Sequence, residues 1–111
     1  MRRLFATLAV VAFATAAHAH QLNVFASVQD GDVVVETKFS SGKIPVSGEV
    51  RVLDGAGQVL STMSLGSDGT ARFPLDPNLA SEGLTIEVST GEGHDDYWIL
   101  TPSDIASGSG S

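Results

Sequence analysis

The sequence contains no cysteine. That excludes disulfides, thiolate metal sites and cysteine nucleophiles. A domain this small must then be held by its apolar core alone, near the size at which cores become marginal. Aromatic residues are few, with five Phe, one Tyr and one Trp, which argues against a sugar-stacking surface. Basic residues are also scarce: 6 Lys and Arg stand against 13 Asp and Glu, for a net charge of −7. Phosphate neutralisation needs a basic patch, so a nucleic-acid partner is excluded. The negative field favours cations instead. Ser40, Ser41 and the scattered Asp residues form no nucleophile–base spacing, which leaves a hydrolase without support. Asp30-Gly31-Asp32 is acidic but lacks the ligand series of a calcium loop.

The one long apolar run stands at the start. Met1-Arg2-Arg3 is positive, Leu4 to Ala16 is apolar apart from Thr7 and Thr15, and Ala17-His18-Ala19 places small residues two apart. That order describes a secretory signal peptide over 1–19. The run is short of the roughly 20 apolar residues of a membrane span. Cleavage after Ala19 starts the mature chain at His20, removes Arg2 and Arg3, and predicts a periplasmic or other extracytoplasmic protein. Cleavage after Ala17 starts it at His18.

Beyond Ala19 no segment has a helical apolar period. Apolar residues alternate with polar ones, and turn residues interrupt them at short intervals. Leu22, Val24, Ala26 and Val28 share a face. Asp30-Gly31 marks a hairpin, and Val33, Val35, Thr37 and Phe39 share a face after it. Further strands are expected at Glu49 to Leu53, Gln58 to Leu65, Thr70 to Leu75, Leu84 to Ser89 and Asp95 to Thr101. Of Tyr97 and Trp98, one is expected to face the core. The fold class is all-β, a seven-stranded antiparallel β-sandwich of Ig-like or prealbumin-like type over 20–101. Residues 102–111 are Ser/Gly-rich and are expected to form a disordered polar tail.

Two features carry chemistry. Processing leaves His20 at the terminus, where its α-amine and imidazole chelate one metal. Nitrogen donors suit nickel, cobalt, copper and zinc rather than magnesium or calcium. With His18 first, His20 is the third residue, and the amine and imidazole again share a metal. The second feature is Gly91-Glu92-Gly93-His94-Asp95-Asp96, a histidine on a glycine-flanked loop beside two carboxylates that can orient or ligate. His20 and His94 are therefore the candidate metal ligands. The alternative readings are a histidine that merely adjoins a cleavage site and a polar hairpin turn. A copper mono-oxygenase with an N-terminal histidine fits poorly, because the mature domain is short.

The opening Ala17-His18-Ala19-His20-Gln21-Leu22-Asn23-Val24-Phe25-Ala26 resembles the AHAHKLNVFA start of a known family. These are small extracytoplasmic proteins encoded with bacterial nickel and cobalt energy-coupling-factor transporters. The segments Leu53-Asp54-Gly55-Ala56-Gly57-Gln58-Val59-Leu60 and Asp68-Gly69-Thr70-Ala71-Arg72-Phe73 resemble their hairpins, which carboxypeptidase-regulatory-like and prealbumin-like sandwiches share. Gly91-Glu92-Gly93-His94 followed by Trp98 is similar to their ending. The resemblance runs from His18 to about Leu100. It departs at Asp95-Asp96-Tyr97, where the family has a basic-then-acidic stretch. Family members often continue into a C-terminal membrane helix, and Gly/Ser residues stand there instead.

The resemblance implies a non-enzymatic accessory that binds Ni(II) or Co(II) and presents it to a membrane metal permease. The rival expectations are a metal-free envelope interaction module and a periplasmic Cu(II)-binding protein.

Overall fold

The computed structural model describes residues 21–109. The expected signal peptide over 1–19, His18, His20 and the last two residues of the expected tail lie outside the described residues. Within them are seven strands and one helix: β1 (Leu22–Gln29), β2 (Asp32–Phe39), β3 (Glu49–Leu53), β4 (Val59–Ser64), β5 (Thr70–Pro74), β6 (Leu84–Ser89), β7 (Asp95–Leu100) and α1 (Pro102–Ser109). The strands form two antiparallel sheets, ordered β1-β2-β5 and β4-β3-β6-β7. The chain is the seven-stranded antiparallel sandwich expected from its alternation.

Local chemistry explains the first hairpin. Asp30 and Gly31 both have positive φ, 53° and 83°. That is the two-residue turn whose twist matches the flanking strands. It fixes the register from Gln29 opposite Asp32 to Leu22 opposite Phe39. Register decides which side chains face inward, because a one-residue slip would reverse the strand. Leu22, Val24 and Ala26 of β1 and Val33 and Val35 of β2 are buried accordingly. They meet Val50 and Val52 of β3 and Leu84, Ile86 and Val88 of β6 in one core. Thr37 is buried too, and its hydroxyl donates to the Gly69 carbonyl at 2.6 Å.

Two flanks of the sandwich differ. On one, β1 and β7 lie side by side and tie the sheets together. On the other, the three-stranded sheet ends before it reaches β4. All of β4 is exposed except Met63, which is half-buried.

Residues 102–109 are helical, which corrects the expected tail. The cause is a reciprocal cap. Thr101 N–H donates to Asp104 Oδ2 at 3.0 Å, and Asp104 N–H donates to Thr101 Oγ1 at 3.1 Å. This is a capping box with aspartate in the acidic position. Pro102 follows at the first helical position, where no N–H is needed. Ile105 is buried against the core. Gly108 lies so close to β1 that an added Cβ would collide with the Val28 side chain.

The aromatic expectation for β7 also changes. Tyr97 is 58% exposed and Trp98 37%, so neither ring enters the core. Leu100 does, while Trp98 meets Phe25 of β1 edge to face at 5.0 Å.

Candidate functional site

The turn between β6 and β7 is closed by its own backbone. His94 N–H donates to the Gly91 carbonyl at 3.0 Å, and Thr90 N–H donates to the His94 carbonyl at 2.9 Å. The Thr90 hydroxyl reaches the same carbonyl at 3.2 Å. Gly91, Glu92 and Gly93 all have positive φ, at 92°, 56° and 80°. Glycine adopts this region without a Cβ penalty, whereas glutamate seldom does. The Gly-Glu-Gly order is therefore what lets the chain reverse so tightly before His94. The His94 ring, half-buried, lies edge to face on Phe39 of β2 at 5.3 Å.

The start of β1 is pinned beside this turn. Gln21 N–H donates to Ser40 Oγ at 3.0 Å, and Ser40 N–H donates to the Gln21 carbonyl at 2.7 Å. Further along, Val24 N–H donates to Asp96 Oδ2 at 3.0 Å. Asp96 comes before Trp98 on β7 as Val24 comes before Phe25 on β1, so the two strands run in the same direction. Their starts accordingly lie at the same end of the sandwich.

The result is an open cleft of about 340 Å³ lined by Gln21, Leu22, Asn23, Gly93, His94, Asp95 and Asp96. It brings the residue next to His20 to the loop that carries His94. His20 lies outside the described residues, so its own position is not part of this geometry. The cleft offers one imidazole, two carboxylates and two side-chain amides. One carboxylate oxygen of Asp96 is already engaged by Val24. Among the described residues, no three His, Asp or Glu side chains gather as a metal-binding group.

A larger concavity of about 480 Å³ lies on the outer face of the four-stranded sheet, lined by Glu49, Arg51, Glu87, Asp95, Asp96 and Tyr97 among others. It has no imidazole, and Arg51 stands 3.6 Å from Glu87 and offsets its charge. Size alone does not make it the better site for a nitrogen-preferring cation.

Ser40 and Asp96 hold the start of β1 beside the turn, a role that their places in the sequence do not reveal. Ser40 carries no motif, and its role depends on the β1–β2 register. Asp96 was noted only as a neighbour of His94. Its reach to β1 depends on the strand order.

No family model, curated protein or solved structure matches this chain. Its own residues therefore carry the functional case. Among the described residues, no helix is long and apolar enough to cross a membrane.

Proposed function

We propose that this protein is a non-enzymatic, extracytoplasmic accessory for nickel or cobalt uptake, which holds the divalent ion as cargo for a membrane permease. The supporting observation is the shared cleft. Gln21, the residue after His20, and the His94 loop line one opening with Asp95 and Asp96. In this reading cleavage frees the amine of His20, and the amine, its imidazole and His94 bind one Ni(II) or Co(II). Neutral nitrogen donors give the site its preference for late transition metals, and the carboxylates add charge. Binding releases protons from the amine and imidazole, so it weakens as the solution is acidified.

Calorimetry with nickel and cobalt salts tests this on three preparations: the chain beginning at His20, the same chain with one extra residue before His20, and His94→Ala. The expected result is tight binding by the first and marked loss in the other two. Equal binding by all three would remove the proposed site. Absence of binding by any would favour the metal-free interaction module. A copper preference by itself would decide nothing, because copper outbinds nickel at most nitrogen sites.

A further inference from the structure

The sequence contains Asp-Gly three times, at Asp30-Gly31, Asp54-Gly55 and Asp68-Gly69. At this pair a peptide chain can rearrange without an enzyme. The glycine nitrogen attacks the side-chain carboxyl carbon of the aspartate. A C–N bond forms, the carboxyl OH and the amide hydrogen leave together as water, and a five-membered succinimide results. Water then adds to one of the two ring carbonyls and breaks its bond to nitrogen. Opening at the side-chain carbonyl restores aspartate. Opening at the main-chain carbonyl leaves the chain running through the side chain, as isoaspartate. Glycine permits the attack because no Cβ hinders its nitrogen. Hydrogen bonds on the carboxylate oppose it, as do bonds that fix the peptide between the two residues and neighbours that leave no room to rotate. The dipeptide is the same at all three places, but its surroundings are not.

Asp68 is held on every count. Its carboxylate accepts from the Thr70 N–H and hydroxyl. The Gly69 N–H is spent on the Gly66 carbonyl at 2.9 Å. Gly69 is buried, and a Cβ there would collide with Ile44. Asp54 is held in a similar way. One carboxylate oxygen accepts the N–H groups of Ala56 and Gln58, both at 2.9 Å. The Asp54 carbonyl accepts the Gly57 N–H at 3.0 Å, and a Cβ on Gly55 would strike Glu82.

Asp30-Gly31 has none of these restraints. Both residues are exposed at the tip of the β1–β2 hairpin. Among the described residues, the Asp30 carboxylate, the Asp30 carbonyl and the Gly31 N–H have no hydrogen-bond partner. A Cβ on Gly31 would meet nothing within 4 Å. Asp30 also stands at φ 53°, in the left-handed region that residues with a Cβ seldom occupy.

We propose that Asp30-Gly31 is a self-modification site, at which the folded protein forms a succinimide and then isoaspartate while the other two Asp-Gly pairs stay intact. Only water leaves and enters, so the balance needs no further reactant. Isoaspartate adds a methylene to the main chain inside a two-residue turn, and turn length sets hairpin register. The Gly31 carbonyl, which accepts the Leu75 N–H at 2.9 Å, shifts with it. Modification therefore loosens the hairpin tip and its tie to the end of β5.

The test is to age the purified protein in heavy-oxygen water at about pH 5, just above the ordinary carboxyl range. Each succinimide that reopens takes up one heavy oxygen. Digestion in ordinary water and fragmentation mass spectrometry then locate the label and the isoaspartate. Folded protein should carry at least about 10-fold more of both at Asp30 than at Asp54 or Asp68. Protein aged in guanidinium chloride should carry comparable amounts at all three, since unfolding removes the restraints. Comparable labelling of the three sites in folded protein would overturn the proposal, as would label at Asp30 that appears only on unfolding. Amide exchange at Leu75 should be faster in the isoaspartate fraction than in fresh protein, and unchanged exchange there would overturn the loosening.

Discussion

Asp96 and Val24 are 72 residues apart, and the carboxylate of one accepts the backbone N–H of the other at 3.0 Å. The contact replaces the strand that β1 lacks on that side, and it joins the two sheets. A part-buried N–H that loses a charged acceptor is costly. Asp96→Ala should lower stability by about 1.5–3 kcal/mol, measured by urea unfolding. Asp96→Asn keeps an acceptor oxygen and should cost less. Amide exchange at Val24 should speed up in the alanine variant before it does at Val35, which sits between two strands.

Helix α1 supplies a second test. Ile105→Ala should cost about 2–5 kcal/mol, because it removes a buried side chain from the core. Thr101→Ala should cost about 0.5–2 kcal/mol through loss of the cap. If 102–109 were a solvated tail, both changes would leave the urea midpoint where it is.

The half-burial of Phe73 sets a third expectation. A fully buried phenylalanine loses about 3–5 kcal/mol on truncation to alanine. Phe73 lies on the open flank, so Phe73→Ala should fall below that range. Ile86→Ala, at a fully buried position of the central β6, should cost more than Phe73→Ala, toward the upper end of about 2–5 kcal/mol. Equal losses at the two positions would mean that the flank is closed in solution.

Acid should act on the β4–β5 turn. Asp68 accepts hydrogen bonds from the Thr70 hydroxyl at 2.7 Å and the Thr70 N–H at 3.1 Å. These hold its carboxyl below the usual carboxylate range, with the hydroxyl contributing most. A carboxylate with a depressed folded value stabilises the native state above its unfolded value. That contribution is lost as pH falls through the folded value. The stability gap between the parent and Asp68→Ala should therefore be complete at neutral pH and shrink below about pH 4. A gap that stays constant into acid would mean that the bonds do not form in solution.

Much of the sandwich was legible in the alternation itself. Leu22, Val24 and Ala26 read as one face and are buried as one face. Asp30-Gly31 read as a hairpin turn and has the paired positive φ values that such a turn needs. The helix was missed because Ser and Gly composition outweighed a local signal that was present: Thr101-Pro102 followed by Asp104 spells a cap. Tyr97 and Trp98 were misjudged for another reason. Alternation gives two faces to a strand, but β7 is an edge strand, and one of its faces turns to β1 rather than to the centre. The cleft was out of reach altogether. That the starts of β1 and β7 coincide follows from two edge strands in different sheets running the same way, and no short window of sequence contains that.

The seam between β1 and β7 has a consequence for how the chain acquires its structure. The first strand to be made finds one neighbour at once, in β2 across a two-residue turn. Its other flank stays bare until β7 and α1, the last elements in the chain, have been made. Sequence-distant contacts of this kind carry the greatest loop-closure cost and form slowly. The edge with the strongest need of cover thus waits longest for it. A chain interrupted anywhere before Leu100 would present β1 as an open edge while the β1–β2 hairpin was already in place.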